Sequence, residues 1–255
     1  MANFLTTIGD FAFFSADVLR RVFSCRYTWR SLVDQMYRVG VESLTVVNLC
    51  AFFIGLVMVL QSTFLLARFG AKEQVATIVT LSFVREIGPV FTAIMFSGRV
   101  GTGIAAELGS MVVTEQIDAY RAFGSDPVAR LATPRVLATT LMLPALTAIA
   151  NLVGVFSGFL LSVLQSRIFG HLYIKNSILA LDGLDVVSSL GKAVTFGLII
   201  GLISTYKGFR TRKATEAVGE STTETMVACV LAVLVSDFFL TKFFLTLGNW
   251  IAEAG

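Results

Sequence analysis

Charged residues, histidine, cysteine and proline are all scarce in this sequence of 255 residues. Only 15% of the residues are charged and 55% are hydrophobic, a balance outside the range of ordinary soluble domains, so a soluble enzyme is nearly excluded. Cys25, Cys50 and Cys229 show no CxxC spacing and His171 is the only histidine, which argues against a disulfide framework and a Cys/His metal site. A net charge of +3, without a basic tract interleaved with aromatic residues, argues against a nucleic-acid-binding protein.

Long uncharged runs separate the charged residues, as membrane spans require. The run at 43–67 has 25 residues, which at about 1.5 Å per residue cross a hydrocarbon core of about 30 Å. We therefore predict an all-α, polytopic membrane protein with a single domain, 1–255. Its five predicted spans are residues 43–67, 74–98, 136–166, 186–206 and 225–247.

The N-terminal segment, residues 1–40, has the pattern of an interfacial helix. Phe4, Phe11 and Val18 are among its apolar residues at helical spacing, and charged residues occupy positions between them. The segment lacks the basic n-region, short apolar core and cleavage site of a secretory signal, so we expect the chain to keep it.

Lysine and arginine are distributed unevenly between the two sides of the predicted spans. Thirteen fall in the N-terminal segment and in the links after spans two and four, whereas six fall on the other side. The positive-inside rule then places the N-terminus in the cytoplasm and the C-terminus outside. In a bacterial inner membrane, the loop between spans three and four is then periplasmic.

The link between spans two and three contains a short amphipathic pattern, at about 111–123, that ends before Gly124. This pattern fits either a solvated helical hairpin or a docking helix for a cytoplasmic partner. The sequence contains no GxxxxGK[ST] phosphate-binding loop, so we do not expect the chain to be a P-loop ATPase. If nucleotide hydrolysis drives this protein, a separate subunit must supply it.

Five charged residues fall inside the predicted spans: Arg85 and Glu86 in span two, Lys192 in span four, and Asp237 and Lys242 in span five, the last of them near its end. Each costs up to about 3 kcal/mol near the centre of a membrane helix, so each needs a partner. One interpretation is ion pairing between helices, with Lys192 extended to the membrane surface. The other is a polar cavity that receives a charged headgroup. Adjacent helix residues point about 100° apart, so Arg85 and Glu86 are expected to face different partners.

Seven glycines predict close helix packing. They are Gly154 and Gly158 in span three, Gly197 and Gly201 in span four, and Gly98, Gly101 and Gly103 where span two ends. The first four form two GxxxG pairs, which allow two helices to approach closely. The cluster at the end of span two predicts a close backbone crossing or a bend.

Eight short motifs lie in order between span two and span five. They are REIGPV (85–90), GRxG (98–101), AELGxM (106–111), EQxDA (115–119), DP (126–127), GF (208–209), EAVG (216–219) and TT (222–223). Together they resemble the MlaE-type permease family of lipid ABC transporters, the systems that maintain lipid asymmetry. The resemblance covers most of the chain, although the N-terminal third shares only its general character.

The resemblance implies a permease that moves phospholipids between the inner membrane and a periplasmic MCE-protein conduit, and so maintains outer-membrane lipid asymmetry. It implies a second copy of the chain, a cytoplasmic ABC ATPase that binds ATP and Mg²⁺, a periplasmic MCE-domain protein and a small STAS-type cytoplasmic subunit as partners. It implies no cofactor for the chain itself.

The resemblance also assigns roles to residues. It places Arg85, Glu86, Lys192 and Asp237 at the polar positions of the lipid cavity. It places a docking helix at about 112–123, with the ATPase contact formed by Glu115, Gln116, Ile117, Asp118, Tyr120, Arg121 and Phe123.

Two other functions fit parts of the sequence. An ion-coupled secondary transporter could use Glu86 or Asp237 as a proton site, although five spans without a visible inverted repeat argue against it. A non-transporting scaffold for membrane assemblies would use the same charges only for helix packing.

Overall fold

The computed structural model describes residues 2–23, 29–165 and 169–254, and in these ranges the chain is helical without a β-strand. Its α-helices are α1 (Ala2–Phe23), α2 (Trp29–Gly40), α3 (Leu44–Ala67), α4 (Val75–Ser82), α5 (Gly88–Phe96), α6 (Thr102–Val113), α7 (Gln116–Ala122), α8 (Thr133–Leu164), α9 (Gly170–Ala180), α10 (Gly183–Phe209) and α11 (Thr215–Ala254). Short 3₁₀ turns precede α3 and α4, and single π-helical turns precede α5, α6 and α8. Cys25, Ser166 and Arg167 lie outside the described residues.

Five helical stretches are long and apolar enough to cross a membrane, which confirms the predicted fold class. They are Trp29–Ala67, Lys72–Val113, Val128–Leu164, Gly183–Phe209 and Thr215–Trp250. Each is longer than the corresponding predicted span. The reason is that the sequence prediction stops at the first charged residues, whereas backbone hydrogen bonding continues the helix into polar sequence.

Two compact units make up the described chain. The first comprises Met1–Ser43, Phe96–Met142 and Thr195–Val233. In it, the apolar stripe of α1 packs within the protein: Val18 is fully buried, and the rings of Phe11 and Phe14 lie 5.3 and 5.6 Å from the ring of Tyr206. An ion pair between Arg210 and Asp10, at 2.8 Å, also fastens α1. The predicted N-terminal amphipathic helix is therefore present, and its apolar face contacts the chain's own helices.

The second unit comprises Leu44–Met95, Leu143–Val194 and Leu234–Gly255. Its core includes Val59, Val75 and Val79, with the fully buried ring of Tyr173 from α9 packed against them. Burial raises the pKa of the Tyr173 hydroxyl to about 12. A hydrogen bond of 3.0 Å from Thr80 to Ser177 adds a polar link between α4 and α9. The short helix α9 is thus held firmly by its buried face.

Close approach explains most of the predicted packing glycines. A Cβ at Gly197 would lie 2.5 Å from the carbonyl oxygen of Thr139, and one at Gly154 would collide with the Phe83 ring. The same holds for Gly158 against Tyr173, Gly201 against Thr139, and Gly101, at 3.1 Å, against Ser204. A Cβ at Gly98 would make ordinary contact, at 3.5 Å, with Met226.

Gly103 does not fit the prediction of close packing. A Cβ built there would have no heavy atom of the described chain within 4 Å, because the residue faces open space. At the end of span two, where a close backbone crossing or a bend was predicted, the helix passes through a π turn, Ser97–Gly101, and continues to Val113.

Candidate functional site

A buried lysine lies at the centre of the charged cluster in the second unit. Lys192 on α10 is 1% exposed, and its Nζ donates to the carboxylate of Glu86 at 2.6 Å and to the hydroxyl of Thr241 at 2.7 Å. Asp237 on α11 forms a further ion pair with it at 3.1 Å. The structure brings together three of the five predicted intramembrane charges. The predicted ion pairing between helices is therefore present, but the predicted extension of this lysine to the membrane surface is wrong, because its side chain is buried.

A π-helical turn, Phe83–Ile87, shapes the same cluster. The extra residue in a π turn shifts the backbone hydrogen-bond pattern, and such turns occur often at functional sites. Here the carbonyl oxygen of Arg85, inside the turn, accepts a hydrogen bond of 3.1 Å from Lys192 Nζ. The spacing of apolar residues did not predict this turn.

Arg85 binds a partner that the sequence prediction missed. Its Nε donates at 2.6 Å to Asp185, a buried residue in the first turn of α10, and the second oxygen of Asp185 accepts from the backbone of Asp182 at 3.0 Å. Arg85 and Glu86 thus face different partners, as their 100° offset predicts. Asp185 lay one residue before the predicted span 186–206, and so it was treated as part of a loop.

A cavity of about 350 Å³ borders this cluster, within the range of about 300 to 1,000 Å³ typical of small-molecule sites. Its charged lining residues are Arg85, Glu86, Asp182, Asp185 and Lys192, and its apolar lining includes Leu184, Phe244 and Leu245. A second depression, of about 490 Å³, shares Glu86, Thr241, Leu245 and Asn249 with it and adds Asp237, Phe238 and Lys242. This combination can bind an amphipathic molecule that has a charged head and an apolar body.

The predicted cytoplasmic helix is shorter than expected. The helix of span two continues to Val113, and α7 begins only at Gln116. Glu115 between them has φ of 58°, a left-handed conformation that a residue with a side chain rarely adopts, and this turns the chain sharply. Gly124 ends the helix with φ of 69°, as the sequence predicted.

Two carboxylates of this segment are bound by a lysine from another loop. Lys213, between α10 and α11, lies 3.2 Å from Glu115 and 2.8 Å from Asp118. The hydrogen bond and the charge of Lys213 lower the pKa of Asp118, and the two carboxylates raise the pKa of Lys213. The link between spans four and five is therefore tied to α7.

The other predicted contact residues differ in exposure. Ile117 is buried in the first unit, so it cannot contact a partner unless α7 moves, and its predicted place in the ATPase contact is a poor fit. Phe123 is 86% exposed at the end of α7, and Gln116 and Arg121 are also exposed, whereas Tyr120 is half-buried. An exposed phenylalanine beside a helix terminus is a suitable anchor for another protein.

A buried arginine in the first unit was also missed. Arg135, near the start of α8, is 3% exposed, pairs with Glu107 at 2.9 Å and donates to the carbonyl of Leu131 at 2.7 Å. In the sequence it is one of the positive charges in the link after span two. As for metals, the described residues contain no group of three or more His, Cys, Asp or Glu side chains that could hold an ion.

Comparison with known proteins shows similarity along most of the chain. The profile of the family Permease MlaE matches residues 32–243. A probable ABC transporter permease protein of Rickettsia felis is 36% identical over 95% of this chain and 93% of its own length. Protein TRIGALACTOSYLDIACYLGLYCEROL 1, chloroplastic, of Arabidopsis thaliana is 37% identical over 90% of this chain and 66% of its own length. A probable ABC transporter permease protein of Synechocystis sp. is 37% identical over 90% of this chain and 87% of its own length.

The matched region contains the features described above. It includes the five intramembrane charges, α7 and most of the five apolar helical stretches. A permease of an ABC transporter works with an ATPase partner, which agrees with the lack of a phosphate-binding loop in this sequence. The chain belongs to the MlaE permease family and is a membrane permease subunit of an ABC transporter.

Proposed function

We propose that this permease moves phospholipids between the bacterial inner membrane and a periplasmic MCE-domain protein, and so maintains lipid asymmetry of the outer membrane. The observation that carries the proposal is the cavity beside Lys192, which combines charged and apolar lining residues on membrane helices. The name of the Arabidopsis relative, which contains a glycerolipid, supports a lipid cargo. The N-terminus is then cytoplasmic and the C-terminus periplasmic, as the distribution of lysine and arginine predicts.

In this proposal Arg85 binds the lipid phosphate. Its side chain is 42% exposed and its bond to Asp185 uses Nε, so the two Nη groups remain to bind a phosphate. Guanidinium and phosphate form bidentate, charge-assisted hydrogen bonds. Phe244 and Leu245 on α11 contact the apolar part of the lipid. The buried Lys192 holds Glu86 and Asp237 in place rather than binding the phosphate itself.

The ATPase supplies the motion. We propose that α7 docks on a cytoplasmic ABC ATPase, which binds ATP and Mg²⁺, with Phe123 as the apolar anchor and Gln116 and Arg121 at its edge. Lys213 lies in the link between α10 and α11 and pairs with Asp118 on α7. Movement of α7 would therefore be transmitted to α10 and α11. Those two helices carry Lys192 and Asp237, so ATP binding could alter the cavity.

We further propose that two copies of the permease pair. In the most apolar stretch of Thr215–Trp250, only 11% of the residues are buried within the described chain. The corresponding share for Gly183–Phe209 is 50%. That exposed surface on α11 is available to lipid and to a second copy. An MCE-domain protein in the periplasm and a small STAS-type cytoplasmic subunit complete the proposed complex.

A cavity-filling variant tests this proposal. Gly248 lines the cavity, and a Cβ built there meets no heavy atom of the described chain within 4 Å, so Gly248→Trp should fill the cavity without disturbing α11. The matched control is Gly219→Trp, an equally open position of the same helix outside the cavity. The complex is purified in mild detergent with its co-expressed ATPase, and bound phospholipid is quantified by mass spectrometry.

We expect phospholipid with the wild type and the control, and little with Gly248→Trp. Equal amounts in all three would contradict the lipid cavity. In parallel, ATP-dependent lipid transfer to the MCE-domain protein is measured with the complex reconstituted in sealed vesicles that hold a proton gradient. Transfer that stops when the proton gradient is dissipated, although ATP remains, would contradict the ATP-driven mechanism and favour an ion-coupled transporter.

A further inference from the structure

The charges that border the cavity do not balance. Arg85 and Lys192 are its two cationic lining residues, whereas Glu86, Asp182 and Asp185 supply three carboxylates. The second depression adds one carboxylate, Asp237, and one cation, Lys242, so the excess of one negative charge is unchanged. A cavity that binds a phosphate therefore has one more carboxylate than cation.

The two cations also differ in their availability. All three N–H donors of the Lys192 ammonium have acceptors, namely Glu86, Thr241 and the carbonyl of Arg85, and its side chain is 2% exposed. A phosphate could reach this ammonium only by displacing one of them. Arg85, whose side chain is 42% exposed and whose bond to Asp185 uses Nε, is therefore the cation of this cavity that a phosphate can reach.

The excess negative charge lies beside Arg85. Glu86 and Asp237 share the single ammonium of Lys192, so the formal charges of these three groups sum to −1. Glu86 follows Arg85 directly in the chain, lines both depressions and has a side chain that is 43% exposed. A cationic group bound near Glu86 would balance the charge, whereas a second anionic group there would be repelled.

We propose that the cavity selects lipids with a zwitterionic headgroup, a phosphate joined to a protonated primary amine, over lipids with a net negative headgroup. The phosphate binds Arg85, and the ammonium donates to the exposed carboxylate of Glu86. Arg85 and Glu86 both line the cavity, so a phosphoethanolamine head, which carries both charges, can contact both residues. This inference rests on the proposed function, since it concerns the lipid bound in the same cavity.

A competition measurement tests the selectivity. The permease–ATPase complex in mild detergent is incubated with equal amounts of phosphatidylethanolamine and phosphatidylglycerol that have the same acyl chains. The ratio of the two bound lipids is then determined by mass spectrometry. One uncompensated charge at close range predicts an enrichment of phosphatidylethanolamine on the order of fivefold. Glu86→Gln should bring the ratio close to one.

The matched control is Glu224→Gln, which removes an exposed carboxylate from the ion pair with Lys207 in the first unit and should keep the wild-type ratio. A wild-type ratio of one or below overturns the headgroup inference and leaves the lipid cavity standing. If the wild type prefers phosphatidylethanolamine and Glu86→Gln leaves the ratio of the two bound lipids unchanged, the role of Glu86 is overturned. Absence of both lipids from the wild-type complex overturns the proposed function instead. Gel filtration and ATP turnover of each variant show that the complex is intact.

Discussion

Lys192 Nζ lies 2.6 Å from the carboxylate of Glu86, and the two residues are 106 positions apart in the chain. The lysine is on α10 and the glutamate is in the π turn before α5, so this contact joins two membrane helices. Removal of the lysine would leave Glu86 and Asp237 close together without a cation.

We expect Lys192→Met to destabilise the protein by about 3 kcal/mol, because breaking a buried ion pair leaves an uncompensated charge. The triple variant with Glu86→Gln and Asp237→Asn should recover much of that loss, since no buried charge remains unpaired. Thermal unfolding in detergent measures the stability of the single and the triple variant. A Lys192→Met protein as stable as the wild type would show that the cluster does not hold the helices together.

Arg85 should be required for lipid binding, and its loss should also lower stability, because it leaves the buried carboxylate of Asp185 without its cation. If it binds the phosphate, Arg85→Gln removes charge-assisted hydrogen bonds worth about 1.5 to 3 kcal/mol, which corresponds to roughly a tenfold or larger loss of bound phospholipid. Arg68→Gln is the matched control, because this arginine is exposed over the ring of Phe64 and lies outside the cavity. Bound phospholipid per protein is the measurement. Equal losses in the two variants would contradict a phosphate site at Arg85.

Reversal of the charge at Lys213 should uncouple α7. Lys213→Asp places a third carboxylate beside Glu115 and Asp118, and like charges at this distance repel. We expect lipid-stimulated ATP turnover of the complex to fall while the ATPase subunit alone is unaffected. Adding Asp118→Lys restores one ion pair and should restore part of the stimulation. A double variant no better than the single one would show that this pair does not transmit motion.

The same ion pair predicts a particular pH dependence. The pKa of Asp118 is lowered, so its contribution to stability is present above the ordinary carboxyl pKa of about 4 and is lost as the pH falls through the lowered value. The pKa of Lys213 is raised, so its contribution is present below about 10.4 and is lost as the pH rises through the raised value. The Tm difference between the wild type and Lys213→Ala should therefore be constant from about pH 5 to 9.

Salt provides the control for that measurement. The pair is exposed, so 1 M salt should shrink the Tm difference across the whole pH range. A difference that varied strongly around neutral pH would indicate that another titrating group is involved.

Two glycines on the membrane helices should respond oppositely to alanine. Gly197→Ala places a methyl group 2.5 Å from the carbonyl of Thr139 and should lower the Tm. Gly103→Ala meets no atom of the described chain and should raise stability by about 0.5 to 1 kcal/mol, because alanine favours the helix. Thermal unfolding of the two variants side by side checks this. A destabilised Gly103→Ala would mean that another subunit packs against that position.

The fold class followed from local composition, because a bilayer forces every apolar run of sufficient length into a helix. The five spans and the five intramembrane charges could therefore be identified one by one. The predicted helix ends were less accurate. Span two, for example, continues to Val113, because a helix does not end at the first charged residue. Gly103 was misjudged because a glycine pattern shows where close packing is allowed and not whether a neighbour is there.

In the candidate site, the charged residues that need partners could be identified from the sequence, since their cost in the membrane depends on residue type and depth. The identity of those partners depends on the arrangement of the helices. The pairing of Arg85 with Asp185, the burial of Lys192 between two carboxylates and the π turn that turns a backbone carbonyl towards it all join segments far apart in the chain. Such contacts depend on how helices are arranged in space, and periodicity along one helix carries no information about that arrangement.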